Sequence, residues 1–247
     1  MLNITGQIKE ILGKGNFWIV KEVQLDNPIS VNGKLYNNVA CKFSIKHFQE
    51  DIDRNLNIYQ SLKKSNVPTL EFVEKGCFEN ENCLIAENLA NREDVLFVSP
   101  NTLRNKPDTR LIALLHKKND YVPSKIETYL SNSKVNEIVN FNDFLNCSEN
   151  QVRLLSKKSL GLCEDALFFG VDKKTRSKLT DWLIADFDCI EIDCVDEEDD
   201  INPFNGNMQV FLNALYEFVH LFVIEKKQVK YLDIISEWHE KYQTNLS

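Results

Sequence analysis

Four short stretches of this chain carry residue types suited to handling a phosphate. Gly13-Lys14-Gly15 lies within "ILGKGNFWIV", between an apolar dipeptide and an aromatic-rich run. Glycine has no Cβ, so a backbone N–H there can come close to a phosphate oxygen. The same G-x-G can equally do no more than turn a hairpin. Val39-Ala40-Cys41-Lys42 places a lysine in a β-prone stretch, and Glu87-Asn88-Leu89 closes another. Asp186-Phe187-Asp188 follows the apolar Leu183-Ile184-Ala185. Phosphoryl transfer rests on positioning and charge neutralisation, so it needs fixed cations and metal-binding carboxylates.

The elements that must position these residues can be read from periodicity and turn signals. Residues 7–24 read as a strand, a glycine turn and a second strand, and "NNVACKFSI" (37–45) as a third. Ile45, Phe48, Ile52, Leu56, Tyr59 and Leu62 recur at helical spacing. This helix should stop before "SNVP", because Pro68 disfavours helix at the residue before it. "LEFVEKGCF" and "NCLIAENL" flank the polar turn Glu79–Asn82 as a hairpin. The first 90 residues therefore read β-β-β-α-β-β. Beyond them, "PDTRLIALLHKK" (107–118) and 141–161 carry helical periodicity, with Gly161 as a stop. "DALFFGV" and "LTDWLIADFD" read as two strands joined by the basic turn "DKKTRSK". Residues 207–224 are apolar almost all round, which predicts a buried helix rather than an amphipathic one. Residues 231–242 predict a surface helix.

Bulk properties narrow the function classes. With 247 residues, 43% hydrophobic, the chain can bury a sizeable core as one two-lobed domain or two small ones. Its net charge of −8 argues against non-specific nucleic-acid binding, which needs clustered Lys and Arg. No run of roughly 18 apolar residues predicts a membrane span, and the polar start "MLNITGQIKE" predicts no signal peptide. Seven cysteines form no C-x-x-C pair, so reduced thiols in a cytosol-like compartment are expected. Four scattered histidines offer no zinc-ligand spacing.

The order Gly13-x-Gly15, Val39-Ala40-Cys41-Lys42, Glu87-Asn88-Leu89, Asp186-Phe187-Asp188 resembles that of the protein kinase family: Gly-rich loop, strand lysine, hinge, metal-binding aspartate. The resemblance spans nearly the whole chain, although each motif is degenerate. It implies an α+β, two-lobed fold. Residues 1–90 would be a nucleotide-binding lobe with a five-stranded antiparallel sheet and one helix. Residues 91–247 would be a small, mostly helical lobe carrying the catalytic and metal-binding segment. It further implies ATP and Mg²⁺ as cofactors. Lys42 would reach the α- and β-phosphates, Asp186 would bind the metal, and Gly13 and Gly15 would cover the phosphates. Leu12, Val20, Ala40, Ala86, Leu89 and Leu167 would line the adenine slot, with the backbone of Glu87 and Leu89 as the hinge.

The chain departs from the family at several places. Trp18 stands where the third glycine belongs, and with Phe17 it could fold over the phosphates as an apolar lid. Asp188 replaces a glycine. In the family an H-R-D motif is followed, five residues after its Asp, by an Asn just before a strand. Aligning "KKSLGLCEDALFF" on that strand puts Asp165 in the Asn position and Leu160 in that of the base. Leucine cannot accept a proton. Asp165 could hold Mg²⁺ in place of Asn, or could itself be the base, and Glu164 could substitute. The helix register puts Asn55 where the family has the glutamate that pairs with the lysine; Asp51, one turn earlier, is the other candidate. The family's A-P-E segment is missing. Two readings follow. One is an atypical kinase acting on a protein with Lys42, Asp165 and Asp186. The other is a pseudokinase that binds nucleotide or protein without transferring phosphate. Either would work in a reducing, cytoplasmic compartment, that of a host cell if the chain is a delivered effector.

Overall fold

The structure, a computed structural model, describes residues 1–14, 18–45, 49–100, 134–188, 190–192 and 203–243. The expected helix over 107–118, Gly15, Phe17, Phe48 and the acidic run 193–200 lie outside the described residues. The chain divides into two compact units: Met1–Lys64 with Thr69–Asn91, and Ser65–Pro68 with the residues from Arg92 onward.

The first unit is built on a six-stranded sheet. Its strands are β1 (Leu2–Ile4), β2 (Gly6–Lys14), β3 (Trp18–Val31), β4 (Lys34–Ser44), β5 (Val73–Phe78) and β6 (Glu81–Ala86), in the order β1-β5-β6-β4-β3-β2. The five strands expected are joined by β1, which runs parallel to β5, so the sheet is mixed rather than wholly antiparallel. Three residues preceding Gly6 were too few to show a period. Helix α1 (Gln49–Lys64) lies between β4 and β5 in the chain. Its buried stripe is Ile52, Asn55, Ile58, Tyr59 and Leu62. Ile45 is not on this helix; it is 39% exposed in the turn after β4. The β5–β6 turn is tighter than expected. Phe78 pairs directly with Glu81, and only Glu79 and Asn80 turn the chain, both with positive φ (51° and 67°). That is the two-residue type I′ geometry whose twist matches the flanking strands.

Side-chain alternation divides this sheet into two faces. On one, Val23, Val39, Cys41, Phe43, Cys83 and Ile85 form a core with Tyr36, Phe72 and Phe78. The other carries Lys42 and is met by α1 through Asn55.

The second unit has more β-structure than its sequence suggested. Strand β7 (Val95–Val98) pairs with β9 (Leu167–Asp172), which pairs with β10 (Leu179–Ile184). Helix α2 (Phe141–Ser156) ends four residues before a two-residue strand, β8 (Leu160–Gly161), which pairs with β11 (Glu191–Ile192). Gly161 is therefore not the helix stop. The chain leaves α2 through Ser159, whose φ is +52°. Helices α3 (Pro203–Phe222) and α4 (Glu225–Tyr242) complete the unit. Phe211 and Phe218 of α3 pack on Phe169 of β9, with ring centroids 5.9 and 5.1 Å away, and Phe211 also meets Trp182 at 5.3 Å. Such tilted aromatic contacts add to the burial energy of large rings. Helix α3 is not buried all round: Asn213, Tyr216 and His220 form an exposed edge. Among the described residues no helix is long and apolar enough to cross a membrane.

Candidate functional site

In the first unit, strand register gathers most of the residues singled out. Gly13 pairs with Val20, Val20 with Lys42, and Lys42 with Leu84. One step along, Glu22 pairs with Ala40 and Ala40 with Ala86. Directly opposed residues share a face, as do residues two apart. Val20, Ala40, Lys42 and Ala86 thus stand on a single face. Leu12 lies at an irregularity between Ile11 and Gly13 and is 41% exposed. An added Cβ at Gly13 would meet nothing within 4 Å, so its backbone borders open space.

Lys42 is half-buried, and Asn55 and Trp18 are among the neighbours of its ammonium. Nζ donates to Asn55 Oδ1 at 3.3 Å and lies 4.7 Å from the centroid of the Trp18 ring. Of the two candidate partners on α1, Asn55 is the one in hydrogen-bond reach of Lys42, while the Asp51 carboxylate accepts from Ser44 Oγ at 3.4 Å. Trp18 is not an exposed lid. It is the first residue of β3, opposite Ser44, and 6% exposed.

After β6 the chain passes through Glu87, Asn88 and a 3-10 turn at Leu89–Asn91. Glu87 and Asn88 are each 3% exposed. The Glu87 carboxylate accepts the Glu71 N–H at 2.8 Å, and the Glu87 N–H donates to the Phe72 carbonyl at 3.3 Å. The Glu87 N–H, expected to serve as a hinge group, is thus already engaged within this unit. Asn88 Oδ1 accepts the Ala90 N–H at 3.1 Å and so starts the turn.

In the second unit, the β9–β10 ladder runs to Leu167 opposite Ile184, and the Ala185 N–H then donates to the Ala166 carbonyl at 3.1 Å. Asp165 and Asp186 each stand one residue further out. Asp165 is exposed in a 3-10 turn (Glu164–Ala166), and Asp186 is half-buried, its Oδ1 3.4 Å from the Asp188 nitrogen that donates to it. Leu167 is fully buried at the strand start, part of the core of this unit.

Leu160, expected at the base position, lies in β8 and is 3% exposed. The segment between β8 and β9 carries the carboxylates of Glu164 and Asp165. Glu164 Oε1 accepts from Asn213 Nδ2 of α3 at 3.0 Å. The same segment is pinned by a residue that sequence reasoning passed over. Asn207 of α3, 4% exposed, accepts the Leu162 N–H at 2.6 Å and donates to the Leu160 carbonyl at 2.9 Å and to Ser156 Oγ at 2.8 Å. Its signal was present: an amide inside a buried helix must find partners.

Two carboxylates suit Mg²⁺, which takes one or two together with phosphate oxygens and water. Among the described residues no group of three or more His, Cys, Asp or Glu is placed to hold a metal by protein ligands alone. No protein-family model matches the chain, and no curated protein sequence matches it.

Proposed function

We propose that the chain is an atypical, kinase-like phosphotransferase that binds ATP with Mg²⁺ and acts on a protein. The observation that carries this reading is the emergence of Asp165 and Asp186 from the same end of the β9–β10 pair. It is supported in the first unit by Lys42 sharing a sheet face with Val20, Ala40 and Ala86.

Mg·ATP, when bound, supplies the transferable phosphoryl group and the metal's charge. The chain's own contributions follow from residue chemistry. Lys42 would hold phosphate oxygens with a fixed cation, and Gly13 would let the backbone approach them. Val20, Ala40 and Ala86 offer an apolar surface for a base, extended by Leu12 and Leu89. Asp165 and Asp186 would be the oxygen ligands of the metal. Leu160 has no proton acceptor, so the proton of an acceptor hydroxyl would go to Glu164, or to Asp165 itself in an arrangement in which its role as metal ligand is lost. A protein acceptor follows from the kinase resemblance, and the acidic chain suits nucleic acid poorly. Cys41, Cys77, Cys83, Cys147 and Cys163 are free thiols, which suits a reducing, cytoplasmic compartment.

The burial of Leu160 favours a second reading, a pseudokinase that binds nucleotide or a partner without transfer. Thermal melting with and without Mg·ATP tests binding. Saturation at a hundred times Kd stabilises by about 2.7 kcal/mol. Transfer from labelled ATP to protein then separates enzyme from binder. A chain that is not stabilised at millimolar Mg·ATP would end both nucleotide readings.

A further inference from the structure

Basic residues are unevenly placed in this acidic chain. Residues 134–139, 172–178 and 224–230 hold eight of its 29 Lys and Arg but three of its 37 Asp and Glu. The fold joins these stretches into one surface of the second unit. The β9–β10 turn lies against 136–139: the Asn136 N–H donates to the Arg176 carbonyl and the Val139 N–H to the Ser177 carbonyl, both at 2.9 Å. Val135 bridges to Val223, and its carbonyl accepts the Ile224 N–H at 3.0 Å, which brings in the start of α4. Lys134, Lys173, Lys174, Lys178, Lys226 and Lys230 are exposed here, and Arg176 and Lys227 are half-buried. Of the three acids, Glu137 pairs with Lys227 and Lys230, at 3.6 and 2.8 Å, and Asp172 accepts from Thr175. Val139 and Val229 belong to the same stretches and are 70% and 67% exposed.

Local stability does not account for this placement. Lys226 and Lys227 occupy the first turn of α4, where the helix dipole favours acids and disfavours cations. Four cations crowd the seven residues of the β9–β10 turn. Charges set against local preference point to a surface kept for a partner.

We propose that this surface docks the chain on an anionic lipid membrane as a peripheral contact. Three features select a lipid surface over an acidic protein. Seven of the eight cations are lysines, compact hydrated charges suited to a diffuse negative surface, whereas arginine serves bidentate recognition of a single carboxylate or phosphate. They are spread over a turn, an extended segment and a helix. The two exposed valines can enter the headgroup boundary beside them, with the lysine stems lying along it. The surface is at the turn end of the β9–β10 pair, and Asp165 and Asp186 emerge from the other end. Docking here leaves the carboxylate end uncovered. The inference is independent of the nucleotide reading.

The test is co-sedimentation of the full chain with phosphatidylcholine vesicles, with and without about 30% phosphatidylserine, at about 0.1 M NaCl. The wild type is expected to bind the phosphatidylserine vesicles and not the others, and to be released at about 0.5 M NaCl. Lys173→Glu/Lys174→Glu and Lys226→Glu/Lys227→Glu should each lower the partition coefficient about tenfold or more. Lys157→Glu/Lys158→Glu changes the net charge equally at the far end of α2 and should stay close to wild type. Val139→Ser/Val229→Ser keeps the charge and should weaken binding severalfold. Melting temperatures verify that each variant is folded. The proposal fails if the wild type ignores phosphatidylserine, if the two Lys-pair variants of this surface bind as the wild type does, or if the Lys157/Lys158 variant loses as much as they do. A wild type that binds polyglutamate but not the anionic vesicles, with that binding lost in the same two variants, would assign the surface to an acidic protein and overturn the membrane contact.

Discussion

The carbonyl of Ala166 accepts the N–H of Ala185 one step beyond the last ladder pair of β9 and β10. This bond makes Asp165 and Asp186 neighbours in the fold although 20 residues separate them in the chain. The ladder is antiparallel, so the residue before β9 and the residue after β10 must emerge at the same end.

Replacing either aspartate with alanine should therefore abolish Mg²⁺-dependent stabilisation by ATP and leave the chain folded. Asp165 is exposed and Asp186 half-buried, so neither carries much of the core. The check is the shift in melting temperature with Mg·ATP, with circular dichroism to verify the fold. Stabilisation that survives both substitutions would remove the pair from the site.

Where the pattern was regular, it was legible. Alternation and turn residues located β3, β4 and the β5–β6 hairpin, helical spacing located α1, and the apolar run over 207–224 located α3, although its exposed edge departs from the all-round burial expected. The resemblance set Asn55 or Asp51 against Lys42, and Asn55 Oδ1 is the one that meets it, at 3.3 Å. What escaped was decided by tertiary contact. β7 is four residues long, too short for a period, and exists because β9 offers it an edge. Leu160 was counted back from Asp165 as though the segment had the family's length. Its pairing with Ile192 and its bond to Asn207 show that β8 occupies that position instead. Trp18 read as a lid because it follows a glycine-rich stretch, yet its place opposite Ser44 makes it part of the sheet.

Asn207 should prove costly to replace. Leucine at this position would orphan the Leu162 N–H and the Leu160 carbonyl, both buried, and remove a partner from Ser156. A buried polar group without a partner costs about 1–3 kcal/mol. Asn207→Leu is thus expected to lose roughly 3–5 kcal/mol in chemical denaturation. A loss under about 1 kcal/mol would show that the β8–β9 segment is held elsewhere.

Gly13 and Gly170 should respond oppositely to alanine. A Cβ at Gly170 would lie 2.8 Å from Thr180 Oγ1, 2.9 Å from Val95 Cγ1 and 3.0 Å from Phe97 Cε1, whereas one at Gly13 meets nothing within 4 Å. Gly170→Ala should cost about 1–3 kcal/mol through overpacking. Gly13→Ala should stay within about 0.5 kcal/mol of the wild type. That makes it a clean probe of phosphate approach, with weaker ATP binding expected at unchanged stability. ATP affinity equal to the wild type would return the stretch to a plain hairpin.

His239 should limit stability on the acid side of neutrality. It lies on α4 with Nδ1 in hydrogen-bond reach of Gln209 Oε1, while Gln209 Nε2 donates to the His239 carbonyl at 3.1 Å. Burial holds its pKa below the ordinary histidine value. The unfolded chain then takes up the proton first, from about pH 6.5 downward. Stability is full above that pH and is lost as pH falls through the depressed folded value, below which the loss stops. His239→Asn keeps a donor for Gln209 and cannot titrate. Denaturation midpoints between pH 8 and pH 5 should therefore fall more steeply for the wild type, and parallel profiles would exclude His239.

Glu164 and Asp165 are adjacent carboxylates with different surroundings, and those surroundings separate their roles. Glu164 is tied to α3 through Asn213, at 3.0 Å, while Asp165 is exposed beside the end of the strand pair. Glutamine at 164 retains an oxygen for Asn213 to donate to, so Glu164→Gln should leave nucleotide binding and phosphate transfer close to wild type. Asparagine at 165 retains an oxygen ligand for Mg²⁺ but cannot accept a proton. If Asp165 is the proton acceptor, Asp165→Asn should bind Mg·ATP almost normally while transfer falls about 10²–10⁴-fold, the usual contribution of a positioned base. Direct titration of Mg·ATP and labelled-ATP transfer, run on the same two variants, distinguish the cases. Transfer lost in Glu164→Gln and kept in Asp165→Asn would move the base to Glu164, and transfer kept in both would mean that the acceptor needs no carboxylate from this segment.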